Sequence, residues 1–305
     1  MDIIQNQPRN IQINRNRFFI NVSIYGCGNS CEYCYVEGSK NKQSLIDIEE
    51  LKSSLHFIEN QPNFSVGSKG ALISLCPDTE PFKSKSSAKL VKCILEKFLP
   101  LSNPIQISTK QVISEEIIRT IKTHQKYKGQ ITIFTSNNTI SQASNIEPFA
   151  APIDQRFKNF RICKKYDINS CLYIKPITND TLKDYELYIK KIKEFKPASI
   201  CVGILYECLD KKIDKLVNFK HPSHSELIIA SEKTIQHIWK FKELISKEIS
   251  IPIFHSSICV SAYARNYFPI PNIWDEYKEL CVNCRDCKGQ YERELLNEKH
   301  INKSI

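Results

Sequence analysis

The chain has 305 residues, 41% of them hydrophobic, which is enough for one large domain or a domain with an appendage around a packed core. No run approaches the ~18 apolar residues of a membrane span, and the opening MDIIQNQPRNIQINRNR lacks the apolar stretch of a signal peptide, so a cytoplasmic protein is expected. The formal charge of +10, from 43 Lys+Arg against 33 Asp+Glu, is spread over helix-like segments without a dense basic run, and is only a weak pointer to DNA or RNA.

In chain order, Phe18 to Tyr25 (FFINVSIY) reads as a buried strand. It runs directly into GCGNSCEYCYVEG, with Cys27, Cys31 and Cys34 spaced C-x3-C-x2-C. Apolar residues at helical spacing follow from Leu45 to Phe57, then a strand at Ala71 to Cys76 and a helix at Ser87 to Phe98. The alternation continues with a strand at Ile105 to Ser108, a helix at Ser114 to Lys126 and a strand at Gln130 to Thr135. A helix at Asp154 to Tyr166, a strand at Cys171 to Ile174, a helix at Thr181 to Phe195 and a strand at Ala198 to Ile204 complete it. Such alternation implies a parallel sheet. Six units are too few for an eightfold barrel, so the expected fold class is α/β, a partial (β/α)6 barrel of the TIM type over residues 1–206. Functional groups then gather at the C-terminal ends of the strands, where the cysteine loop, Cys76 through Glu80, Lys110 and Ser136 all fall. Residues 207–305 read as a C-terminal extension: a polar stretch from Leu209 to His224, a long helix from Glu226 to Ile249, and a short last strand with its loop from Pro252 to Tyr263. A second cysteine group follows, Cys281, Cys284 and Cys287 in LCVNCRDCKG.

Three thiolates on one short loop can hold three irons of a [4Fe-4S] cluster and leave the fourth iron open to a small molecule. The rival is a structural zinc site, although zinc knuckles usually pair C-x2-C with a distant second pair. The spacing, with Tyr33 before the third cysteine and Tyr35 after it, resembles the radical S-adenosylmethionine (SAM) superfamily. That resemblance implies an open iron that chelates SAM, reductive cleavage to a 5'-deoxyadenosyl radical, and an electron donor such as flavodoxin or ferredoxin.

Later runs resemble the spore photoproduct lyase branch of that superfamily, over roughly residues 18–178. They are CPDTEP from Cys76 to Pro81, STK ending in Lys110, Ser136 at a strand end, the spaced set Glu147, Pro148, Pro152, Asp154 and Arg156, and KKYDINSCLYIKPI. The resemblance implies that Lys110 and Ser136 hold the carboxylate or ribose of SAM. It places Thr79 and Glu80 near the SAM amino group and Tyr33 over adenine. Tyr35 either sits in a radical-transfer chain or shields the cluster. Cys76 is the candidate that returns a hydrogen atom to the product radical. One departure from the family is that Cys76 precedes Glu80 by four positions rather than three, which leaves Asp78 as an alternative counterpart of the acid.

The C-x2-C-x2-C group, with Cys259 as a fourth ligand, suits an auxiliary iron-sulfur cluster or a zinc site. Cys93, Cys163, Cys171, Cys201 and Cys208 read as small core residues. Two enzymatic readings and one non-enzymatic reading remain open. The first is a radical SAM enzyme acting on DNA or RNA, for which a base would be flipped out of a duplex. The second is one that modifies a peptide or small metabolite with the help of the auxiliary cluster. The third is a non-catalytic zinc-binding module.

Overall fold

A computed structural model of the chain describes residues 7–14, 16–34, 43–203, 206–208, 227–229 and 233–266. Its main sheet has eight strands: β1 (Ile11–Asn14), β2 (Arg17–Ile20), β5 (Leu72–Leu75), β6 (Ile105–Thr109), β7 (Ile131–Asn137), β8 (Asn169–Ile174), β9 (Ser199–Val202) and β12 (Ile253–Phe254), in that spatial order. β1 pairs with β2 antiparallel, and every other neighbouring pair is parallel. Among the described residues no ladder joins β12 back to β1, so the sheet curves without closing. This is the partial barrel expected, with β12 as one more parallel strand than the six counted in the core.

The period of two along each strand separates two environments. Ile73, Ile105, Ile107, Ile131 and Ile133 point outward into one aliphatic layer, and Leu172, Ile174, Ile200 and Val202 into another. The first is covered by helices α1 (Ile48–Glu59), α2 (Lys85–Phe98) and α3 (Glu115–His124). The second lies under α5 (Ile153–Lys165), α7 (Tyr185–Phe195) and α8 (Lys233–Ser246). The alternate residues point inward and are mixed in character: Arg17, Ser74 and Gln106 near the strand starts, then Phe134, Cys171 and Cys201.

Helix α9 (Ser257–Ala264) closes the N-terminal end of this interior. Gln106 donates to the Ser257 carbonyl at 2.7 Å, Arg17 to the Ser257 hydroxyl at 3.2 Å, and Arg265 to the Ser68 carbonyl at 2.5 Å. Gly129, at φ +81°, lets the chain pass α9 closely, since a Cβ there would lie 2.0 Å from the Ala264 oxygen. The opposite, C-terminal end stays open.

Several expected boundaries shift for identifiable reasons. The strand read from Phe18 to Tyr25 ends at Ile20, and β3 (Ser23–Tyr25) leaves the sheet to pair with β4 (Ser44–Leu45). The helix read from Thr181 to Phe195 is two, α6 (Asn179–Lys183) and α7, because the Asp184 carboxylate turns aside to accept from the Thr139 hydroxyl and from the N–H groups of Ile140 (2.7 Å) and Ser141 (3.0 Å). The long helix read from Glu226 begins only at Lys233, and β11 (Leu227–Ile229) pairs with β10 (Tyr206–Cys208) instead. Pro252 to Tyr263 is a two-residue strand followed by α9 rather than a strand and loop, with the Ser256 hydroxyl accepting at the helix start. The polar stretch from Leu209 to His224 lies outside the described residues.

Candidate functional site

At the open end a cleft of about 860 Å³, its mouth included, is lined by Cys27, Cys31, Tyr33 and Cys34 from the cysteine loop and by residues that follow β5, β6, β7 and β8. The loop's backbone is unusual: Gly26, Gly28 and Ser30 have φ of +66°, +71° and +49°, alternating with residues of negative φ. Glycine serves at the first two because the left-handed region carries no Cβ penalty there. Such alternation turns successive N–H groups toward one side, the concave arrangement found at many anion and iron-sulfur sites. One of these, the Asn29 N–H, reaches the Cys27 sulfur at 3.5 Å. Burial pushes the Cys27 and Cys31 thiols above their ordinary value.

Glu80 is the hub of the cleft wall. It is 2% exposed, and its carboxylate accepts from the Thr109 hydroxyl, the Lys110 N–H (2.8 Å), the Phe82 N–H (3.2 Å) and the Asn29 amide (3.2 Å). These occupy the roughly four lone-pair directions of a carboxylate. Glu80 therefore ties the end of β5 to the end of β6 and to the cysteine loop. Asn29 completes the tie, its carbonyl accepting from Lys83 at 3.1 Å and Gln111 at 3.2 Å. The Thr79 hydroxyl, buried beside it, donates to Asn21 at 2.9 Å.

Tyr33 is anchored from the other side. Its hydroxyl donates to Glu147, whose second oxygen accepts from Arg156, and both members of that ion pair are fully buried (1% and 0% of the side chains exposed). Arg156 also donates to the carbonyls of Ala151 (2.5 Å) and Ser136 (3.2 Å), which links the cysteine loop to the end of β7. Burial and the Glu147 charge raise the Tyr33 hydroxyl well above its usual value, so it stays protonated. The Lys110 ammonium lies 5.5 Å above the Tyr33 ring. Burial alone would lower Lys110, but its interactions with Cys31, Glu147 and Cys27 outweigh that and raise it above its ordinary value.

Cys76 sits just past β5 at φ +52°, fully buried at the cleft floor, and burial pushes its thiol up to about 12. Across the cleft Lys175 and Pro176 follow β8, joined by a cis peptide bond, and Tyr173 points in from the strand itself.

The residues singled out in the sequence thus fall into three groups. Cys27, Cys31, Cys34, Tyr33, Cys76, Thr79, Glu80, Lys110 and Ser136 come together around one cleft. Cys259 does not join them: it lies on α9 at the opposite end, packed with Phe134, Cys171, Cys201, Phe254 and Val260. Tyr35, Cys281, Cys284 and Cys287 lie outside the described residues. The sequence reading gave no individual role to Asn29, Tyr173 or Lys175, although each lies within a run it singled out, nor to Glu147 and Arg156, whose spacing was visible but whose pairing was not. His255 lies away from the cleft, in a tilted ring contact with Trp239 (centroids 5.3 Å apart) and 3.2 Å from the Lys242 ammonium, and burial followed by that charge lowers it to about 3.

No three His, Cys, Asp or Glu side chains among the described residues converge on a point where one metal ion would sit. A cubane cluster does not require that, since each thiolate binds a different iron. Three cysteines on one loop, with the Asn29 N–H reaching the Cys27 sulfur, are a donor set of that kind.

No family model matches the chain, and no curated protein matches it significantly in sequence. Solved structures do match. Spore photoproduct lyase complexed with dinucleoside spore photoproduct aligns with 75% of this chain and 74% of its own at a TM-score of 0.55 and 11% identity. A mutant of that lyase with bound AdoMet and dinucleoside spore photoproduct aligns over 78% and 75%, at 0.57 and 11%. The chain has the fold of spore photoproduct lyase, in agreement with the resemblance read from its motifs.

Proposed function

We propose that this chain, built on the fold of spore photoproduct lyase, is a radical SAM enzyme that abstracts hydrogen from a nucleic-acid substrate. The observation that carries the reading is the meeting of Cys27, Cys31 and Cys34 with Lys110, Ser136 and Cys76 in one cleft at the C-terminal ends of parallel strands. Cys27, Cys31 and Cys34 would hold the [4Fe-4S] cluster. When bound with SAM at its open iron, that cluster supplies one electron to break SAM into methionine and a 5'-deoxyadenosyl radical.

The chain's own residues have distinct tasks in this reading. The Asn29 N–H, donating to the Cys27 sulfur, stabilises the thiolate. Lys110 offers its ammonium to the SAM carboxylate, Ser136 its hydroxyl to the ribose, and the Tyr33 ring a face for adenine. Glu80 fixes the positions of Lys110 and Asn29. Glu80, expected beside the SAM amino group, has its lone pairs taken by Thr109, Lys110, Phe82 and Asn29, so in this reading that place falls to Thr79 and Asp78 on the same wall. Cys76 keeps its S–H at neutral pH, which is the form able to give a hydrogen atom to a product radical.

The experiment is to reconstitute the chain without oxygen, add SAM and a strong reductant, and measure 5'-deoxyadenosine. Release by the native chain and none by Cys27→Ala supports the reading. No release by the native chain overturns it. Retained weak binding of a single-stranded oligonucleotide at low salt supports the substrate class, and its absence there removes it.

A further inference from the structure

Lys175 lines the same cleft as Cys76, Asp78, Lys110 and Ser136, and the run KKYDINSCLYIKPI that contains it gave it no role of its own. Its place is built with care. Its own N–H donates to the Asn137 carbonyl at 3.3 Å. The Gly203 N–H donates to the Ile174 carbonyl at 3.1 Å and the Ile177 N–H to the Gly203 carbonyl at 2.9 Å, so the backbone on both sides is clamped. The aliphatic stem lies along Gly203, where a Cβ would come within 2.8 Å of both Cγ and Cδ. Any other residue at 203 would push the lysine out of its slot. The ammonium passes 6.0 Å from the centroid of the Tyr173 ring. The chain has therefore cleared a channel for the stem of one lysine and delivered its charge to the cleft wall.

We propose that Lys175 binds a phosphodiester oxygen of the substrate, next to the base that enters the cleft. The inference rests on the nucleic-acid reading above and deepens it. A base cannot reach the cleft floor without bringing its flanking phosphate to the wall, and a lysine ammonium is a point charge suited to one monoanionic oxygen group. Lys110 stands over Tyr33 on the cysteine-loop side, whereas Lys175 stands on the β8 side, so the two lysines serve different parts of the cleft. The charged and titratable groups that face Lys175 are Cys201, Asp78, Arg17 and Lys110, and burial is the largest influence on it, lowering it to about 8. An ammonium held where burial disfavours it is characteristic of a functional position.

The test compares the dinucleotide TpT with its uncharged methylphosphonate analogue by calorimetric titration of the reconstituted, SAM-loaded chain at low salt. The native chain is expected to prefer TpT by about tenfold, the effect of one satisfied ion contact. Lys175→Gln should bind the two equally while keeping its iron content, and Lys175→Arg should restore most of the preference. A Lys175→Gln chain that still prefers TpT tenfold, or a native chain that binds both alike, overturns the inference and leaves the nucleic-acid reading standing. A native chain that binds neither overturns that reading itself, and this inference with it.

Discussion

The buried pair of Glu147 and Arg156 offers a quantitative test of how the cysteine loop is held. Removing one member strands a charge with almost no solvent: the side chains are 0% and 1% exposed. Breaking such a pair destabilises by about 3–5 kcal/mol. Each change also orphans neutral partners, at about 1–3 kcal/mol for each group left without a bond. Glu147→Leu orphans the Tyr33 hydroxyl, and Arg156→Met orphans the carbonyls of Ala151 and Ser136. The double variant removes both charges and retains only the neutral losses. A double-mutant cycle by urea unfolding, followed by circular dichroism, should therefore give a coupling energy of about 6–10 kcal/mol, since the stranded-charge cost of about 3–5 kcal/mol enters each single and is absent from the double. Additivity within about 0.5 kcal/mol would refute the claim that this pair is a closed, dry unit supporting Tyr33.

Other expectations follow from the same geometry. Tyr33→Phe removes the hydroxyl that donates to Glu147 and also interacts with Cys31; it should lower stability by about 1–3 kcal/mol and speed loss of iron to a chelator, measured by absorbance. Lys175→Met should raise stability at pH 7 by about 1–2 kcal/mol, because the lysine's value is lowered to about 8 in the fold against 10.5 when unfolded. The sign is fixed by the unfolded chain binding more protons between those values: the native penalty is full below pH 8 and fades toward pH 10.5, so the variant's advantage in urea titrations should shrink over that window. Cys76, raised to about 12, gains stability below the unfolded value near 9 and loses it as pH rises toward 12, and in the folded chain it should resist iodoacetamide at pH 8 while half-buried Cys93 reacts. Cys76→Ala should still release 5'-deoxyadenosine but fail to pass solvent deuterium to the product.

Much of this architecture is legible in the chain itself. The aliphatic repeats of α2 and α3 and the unbroken runs of β5 and β7 are plain in the sequence, and the spacing of the cysteine loop with its flanking tyrosines carries the resemblance on which the proposed chemistry rests. What hides is what depends on partners far away in sequence. Asp184 ends a helix because Thr139, Ile140 and Ser141 come to it from another loop. Ile11 to Asn14 is a strand only because Arg17 to Ile20 folds back along it. SICVSAYA becomes a helix that seals the interior, although its residues would suit a strand, because Ser256 caps it and Gln106 and Arg17 meet its first turn. In the cleft, Lys175 looks like any surface lysine until Gly203 is seen to vacate the space beside it.

The most direct test is the electron paramagnetic resonance spectrum of the reduced, reconstituted chain before and after SAM is added. An iron with a vacant position predicts a four-iron signal that changes when SAM coordinates, absent in Cys27→Ala. A chain that takes up zinc but no iron and sulfide, or a signal indifferent to SAM, would contradict it.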